Sequence, residues 1–280
     1  MGYGYNGRIL HVHLTESRLE SQEPEEVWYR TFMGGSCFVS YHLLQGMEPG
    51  VPPLSEDNVL VFACSVLTGA PISGYNRYTV GAKSPLTGGF GESEAGGYWA
   101  PELKFAGFDA IVIRGRAPKP VYLWVSDGKA EIRDAGHIWG ADNWRTLEQI
   151  RKDLGDPRVR VASIGPAGEL MVPFANVSNE VEHFNGRTGM GAVMGSKNLK
   201  AVAVRGMGRP PLSDPKRVGE IARWHNARIK SHPASVALSR AGTPGLLKGL
   251  NAGGILPTRN FREGVFEGAE RLGWEAYKEK

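Results

Sequence analysis

Cysteine is scarce in this chain: Cys37 and Cys64 are the only two among 280 residues. A disulfide-stapled secreted scaffold needs more than one pair. Both thiols are therefore read as small, reduced core residues of a cytoplasmic protein. Long apolar runs are missing too. Nowhere do 18 apolar residues follow one another, so no spanning helix and no membrane association are expected. The first eight positions carry glycine and polar residues where a secretory leader would show a charged start and an apolar run. Charge of one sign is weak, with 33 Lys+Arg against 29 Asp+Glu and a net +4. No block of five or six basic residues occurs, which leaves nucleic-acid binding without support. The small positive surplus suits an anionic cofactor or an acidic electron-carrier protein.

Glycine and proline are plentiful instead, at 38 and 18. They predict many turns and a β-rich, loop-rich α+β architecture, not a helical bundle. Alternating or continuous apolar patterns predict strands over 6–14, 58–67, 76–82, 108–114, 120–125, 159–165, 171–178 and 197–206. Residues 126–134 read as a hairpin on the Asp127-Gly128 turn. Helical spacing appears in 25–35, 38–46, 96–107 and most clearly 143–154, where Trp144, Leu147, Ile150 and Leu154 recur. His42 has no partner residue at i+3 or i+4 and is read as a packed or surface histidine, not a ligand.

The stretch 75–97, YNRYTVGAKSPLTGGFGESEAGG, begins as an alternating strand and dissolves into glycine. Residues 182–195, EHFNGRTGMGAVMG, have the same character. Glycine-rich backbone is retained where positive φ or a close approach is needed. Arg77 and Lys83 in the first stretch and Arg187 in the second add the cations of an anion site. Two such loops read either as two halves of one ligand cradle or as ordinary turns of a β-rich domain.

Composition changes at residue 207. GMGRPPLSDPKR is linker-like, and the residues beyond it read as helical with few apolar side chains. The expected organisation is a domain over 1–208 and the incomplete beginning of a helical domain over 209–280.

RYTVGAKSPLTGG, AGGYWAPELKFAGFDAIVIRG, EIRDAGHIWG, ASIGPAGE and GRTGMGAVMGSKNLKAVAV succeed one another through residues 6–206, with PTRNFREGVFEGAE beyond them. In that combination and order the chain resembles the N-terminal part of the tungsten-containing aldehyde ferredoxin oxidoreductases. The resemblance implies a base of two β-sheets with flanking helices, followed by the start of a mostly helical domain. It implies a tungsten ion, or molybdenum, held by two pterin cofactors on that base. It implies cofactor contacts at Arg77, Glu94, Gly96, His183, Phe184, Gly186 and Arg187. A magnesium bridging the pterin phosphates would rest partly on the backbone carbonyls of Glu94 and Phe184. The implied reaction oxidises a small aldehyde to a carboxylic acid and passes electrons to ferredoxin or a small iron–sulfur subunit.

Three departures stand out. Glutamate at 94 replaces the asparagine of some relatives, and His183 stands where arginine is expected. The cluster-binding Cys-x-x-Cys-x-x-x-Cys run is absent, and Cys37 and Cys64 lack that spacing. A [4Fe–4S] cluster is thus expected only with a further C-terminal part, on the same or a separate polypeptide. The alternative is a non-catalytic scaffold or a subunit of a split enzyme with the same fold.

Overall fold

Strand β3 (Leu60–Cys64) is buried at every residue, and β6 (Ala110–Arg114) at all but its last. Such unbroken apolar runs fit strands covered on both faces. The computed structural model describes residues 2–278, and it shows what covers them. The first sheet has the order β2-β1-β6-β3-β4-β5, with β1 (Ile9–His13), β2 (Arg18–Gln22), β4 (Tyr78–Lys83) and β5 (Phe90–Ala95) completing it. Side-chain alternation splits it into two surfaces. Ile9, Val61, Ala63, Ala110 and Val112 pack outward with Tyr29, Phe38, Val39 and Leu43. Those four come from helices α1 (Glu26–Phe32) and α2 (Ser36–Gly46). Leu10, Val12, Phe62, Val80, Ile111 and Ile113 point the other way, into the main core.

The second sheet, read from its other end, has the order β8-β7-β12-β9-β10-β11. Its strands are β7 (Val121–Ser126), β8 (Lys129–Asp134), β9 (Arg160–Ser163), β10 (Val177–Asn179), β11 (His183–Asn185) and β12 (Leu199–Arg205). Shifting every strand number by six turns the first order into the second. The pairings match as well: β1–β6 and β7–β12 are parallel and every other neighbouring pair is antiparallel. The base is one six-stranded plan used twice.

Helix α3 (Trp99–Phe105) lies between the sheets, and its Trp99 donates Nε1–H to the Val202 carbonyl at 2.8 Å while its ring meets Phe62 and Tyr78. Helix α4 (Asn143–Leu154), capped by Asp142, covers the outer face of the second sheet through Leu147 and Ile150. Helices α5 (Pro166–Glu169) and α6 (Met190–Ser196) touch so closely that a Cβ on Gly195 would stand 1.9 Å from the Gly168 carbonyl oxygen. Several glycines of residues 182–195 therefore serve packing.

Expected and observed elements agree closely at β7–β8 and α4. The structure corrects four expectations. The glycine-rich residues after Lys83 contain strand β5. Residues 182–195 contain β11 and α6. Of residues 171–178 only the last two are in a strand. Cys64 is buried as expected, but Cys37 is exposed on α2, because its position there faces away from Phe38 and Val39.

A second compact unit starts at Lys216. It holds α7 (Pro215–Ile229), α8 (Pro233–Ala241), α9 (Leu247–Ala252), α10 (Ala269–Leu272) and α11 (Trp274–Lys278). Helices α7, α8 and α9 bury no residue, and Trp224, Leu238 and Phe261 are exposed. Among the described residues no helix is long and apolar enough to cross a membrane.

Candidate functional site

Strands β4 and β5 form a hairpin with Tyr78 opposite Ala95 and Lys83 opposite Phe90. Ser84 shapes its turn, accepting from the backbone N–H groups of Leu86 and Thr87 at 3.2 Å. Along β5, Gly91, Ser93 and Ala95 are buried, while Phe90, Glu92 and Glu94 face the open side. In the second sheet β10 and β11 form the equivalent hairpin. Its turn holds two non-glycine residues at positive φ, Glu180 at 54° and Val181 at 62°. For β-branched valine this is strained backbone. Glu180 anchors the turn by accepting from Arg160 at 3.0 Å, and burial pushes its carboxyl above the usual range.

β5 and β11 are the free edges of their sheets, and the fold brings them together. Five hydrogen bonds join residues 84–96 to β10, β11 and the residues just after β11, and each uses a side chain. Asn185 donates to the Ser93 carbonyl at 2.8 Å and Asn179 to the Gly96 carbonyl at 2.6 Å. Thr188 Oγ1 donates to the Glu92 carbonyl at 3.0 Å, and the Arg187 backbone N–H donates to Ser93 Oγ at 3.2 Å. Ser84 Oγ donates to the Thr188 carbonyl at 2.8 Å.

Over this junction lies a cleft of about 660 Å³ lined by Phe90, Glu92, Ser93, Glu94, Phe184, Gly186, Arg187 and Thr188. The two glycine-rich stretches thus meet in one place. Glu94, Phe184, Gly186 and Arg187 line the cleft together. Arg77 is not among the lining residues; it stands 3.6 Å from the carboxylate of Glu94, which is. Gly96 lies against His183, whose ring carbon would be 3.7 Å from a Cβ placed there. Lys83 does not join them. It lines a separate cleft with Leu43, Leu44 and Gly88, because its position in β4 falls near the far end of the hairpin.

Gly186 and Gly96 are informative in another way. Neither has positive φ, and a Cβ on Gly186 would meet nothing within 4 Å. The protein's own packing does not require glycine at 186. Unpartnered buried polar atoms occur in Glu92, which lines the cleft, and in residues of β10 and β11 beneath it. Glu92 Oε2, Ser178 Oγ, Asn179 Oδ1, His183 Nδ1 and Asn185 Oδ1 have no hydrogen-bond partner among the described residues. Buried acceptors left so are uncommon and call for water or a ligand. Among the described residues no cluster of three or more His, Cys, Asp or Glu side chains could hold a metal.

Sequence reasoning missed Asn179, Asn185, Ser93 and Thr188. A signal existed for the two asparagines, since asparagine is depleted in strands and each sits at the end of a short strand beside a glycine-rich stretch.

Residues 9–206 match the family model for the aldehyde ferredoxin oxidoreductase N-terminal domain, and residues 220–280 match that for domains 2 and 3 of the same family. A tungsten-containing aldehyde ferredoxin oxidoreductase of Pyrococcus abyssi is 44% identical over 279 residues, covering 99% of this chain and 46% of the relative. The aliphatic sulfonate oxidoreductase, WOR-like subunit, of Pyrococcus furiosus is 38% identical over 227 residues, covering 75% of this chain and 36% of the relative. Among solved structures, the active site complex BamBC of benzoyl coenzyme A reductase with 1,5-dienoyl-CoA superposes with a TM-score of 0.84 at 34% identity. That match covers 99% of this chain and 44% of the other. The chain spans about half the length of the curated relatives it matches.

Proposed function

Because the chain belongs to the aldehyde ferredoxin oxidoreductase family, we propose that residues 1–208 are the cofactor platform of a tungsten bis-pterin oxidoreductase and that residues 209–280 begin its second, helical domain. The reaction proposed for the whole enzyme is oxidation of an aldehyde to a carboxylic acid, with ferredoxin or a small iron–sulfur subunit taking the electrons. The observation that carries this reading is the cleft where the two glycine-rich stretches meet, lined by Gly186 and Arg187, with Arg77 paired to its Glu94 and with buried polar atoms lacking partners in the residues beneath it.

The residues present fit such a group. When bound, the tungsten supplies the two-electron redox chemistry, which no side chain of this platform can supply. The chain's own part is binding and orientation. Arg187 offers a guanidinium fork to a phosphate. Arg77 is paired with Glu94, but that pair is more than half exposed and exchanges for a phosphate at little cost. Gly96 and Gly186 let a flat ring approach the backbone, His183 flanks Gly96, and the Glu94 and Phe184 carbonyls would face a magnesium. At 94 a backbone contact tolerates glutamate where a side-chain contact would not. Cys37 and Cys64 are the only cysteines among these 280 residues, so four thiolate ligands for a [4Fe–4S] cluster would come from residues outside them, on the same polypeptide or another.

Elemental analysis of the purified protein, alone and co-expressed with a polypeptide carrying the family's cysteines, tests the reading. Tungsten with pterin in either sample is expected, with iron only in the second. No tungsten or molybdenum in either would overturn the platform reading and favour a non-catalytic scaffold. Assays with aldehydes and with aromatic coenzyme A thioesters would then assign the substrate class, the second because of the likeness to the benzoyl coenzyme A reductase complex.

A further inference from the structure

Two asparagines bracket the carbonyl of Glu94. Asn185 donates to Ser93, the residue before it, at 2.8 Å, and Asn179 donates to Gly96, two residues after it, at 2.6 Å. The same asparagines flank Phe184 on the other side of the junction. Asn185 comes directly after Phe184 in β11. Asn179 stands opposite His183 in the β10–β11 register, one step from Phe184. Each hydrogen bond therefore ties a neighbour of one carbonyl to a neighbour of the other.

Resting on the platform reading, we propose that Asn179 and Asn185 are positioning residues that set the separation and direction of the Glu94 and Phe184 carbonyls for a bridging magnesium. Both side chains are fully buried, so neither amide can trade its carbonyl for solvent. Both use their N–H group and leave Oδ1 unpartnered among the described residues. A side chain present only to fill space would be apolar here, since a buried acceptor left open is unfavourable and asparagine is a poor strand residue. The segment that carries them is itself held, because the turn between β10 and β11 is fixed by Glu180 on Arg160. No ladder of backbone hydrogen bonds joins β5 to β11, as they belong to different sheets. The side-chain bonds are what fixes the gap between the two carbonyls.

The test uses the full enzyme with Asn185→Leu and, separately, Asn179→Leu. Each change keeps the branching at Cγ and removes the donor without burying a charge. Magnesium and tungsten per chain are measured after dialysis against EDTA, together with the tungsten(V) electron paramagnetic resonance spectrum and the thermal midpoint. Positioning predicts a magnesium-to-tungsten ratio lowered by roughly tenfold or more, the size usual for groups that orient metal ligands. It also predicts an altered spectrum, with a midpoint close to wild type in at least one variant. An unchanged ratio and spectrum in both variants overturn the proposal. So does equal loss of both metals with a parallel fall in midpoint, or failure of both variants to fold, since each shows a merely structural role. Wild-type enzyme without tungsten would instead overturn the platform reading itself.

Discussion

Arg77 and Glu94 stand 3.6 Å apart across the β4–β5 hairpin, and both side chains are more than half exposed. An ion pair so wet contributes little to folding. Replacing Arg77 by alanine should move the thermal midpoint by no more than about 0.5 kcal/mol equivalent while lowering the tungsten and pterin retained through purification. Wild-type cofactor content in Arg77→Ala would show that the arginine takes no part in holding it.

Two glycines of one stretch should respond in opposite ways. Gly195→Ala drives a methyl into the Gly168 carbonyl at 1.9 Å and should destabilise the chain by roughly 1–3 kcal/mol, read by chemical denaturation. Gly186→Ala meets nothing and should leave stability intact while reducing cofactor content. Equal stability losses would mean that the open space at Gly186 is filled by the protein in solution.

Asp109 is the hub of a buried knot. It accepts from Lys104 Nζ at 2.7 Å and from the backbone N–H groups of Asn6 and Gly7 at 3.0 and 2.8 Å. Lys104 and Asp109 are 0% and 1% exposed. Asp109→Ala strands the ammonium and should cost about 3–5 kcal/mol, measured as a fall in denaturation midpoint. Asp109→Ala with Lys104→Met should recover part of it.

His42 is 4% exposed, its Nε2 has no partner among the described residues, and it sits among the rings of His11, Trp28 and Tyr41. Burial, with the nearby charges of His11 and Arg114, holds its pKa down at about 3. An unfolded histidine titrates near 6.5. Below that pH the unfolded chain binds a proton that the folded chain refuses, so stability falls with acidification from about 6.5 to about 3. Asp156, held well below the usual range by Arg158, adds its own loss only at lower pH, where unfolded carboxylates titrate. From about pH 6.5 to about 4.5 the lowered histidines pull stability down, while Glu180, whose carboxyl burial raises, works the other way. A denaturation series there should show a slope that His42→Phe reduces. An unchanged slope would mean that the imidazole is hydrated.

Helix α4 was legible because Trp144, Leu147, Ile150 and Leu154 recur at helical spacing; the structure adds Asp142 as its N-terminal cap and Gly155 just past its end. The β7–β8 hairpin was equally plain from Asp127-Gly128. Strand β5 was hidden because its buried positions are glycine, serine and alanine. They are small so that Met190 and Thr188 can close over Gly91. Strand β11 is three residues long, too short to show a period. The candidate site was found through its glycines and arginines. The residues joining its two halves were not, because the one local mark, asparagine at the end of a short strand, does not say what its side chain bonds about 90 positions away. The exposure of Cys37 was missed for a similar reason: helix α2 is apolar on more than one side, so its sequence does not say which side is covered.

The repeated six-strand plan also governs how the fold avoids sticking to itself. Each sheet has two borders where backbone groups lack a neighbouring strand, and such borders recruit other chains. The outer borders, β2 (RLESQ) and β8 (KAEIRD), are charged and partly or wholly exposed. The inner borders, β5 and β11, shelter one another instead. Residues that shape the cleft thereby also guard against intermolecular strand pairing. Parting these two edges would bare both at once, and the first sign would be turbidity at high protein concentration.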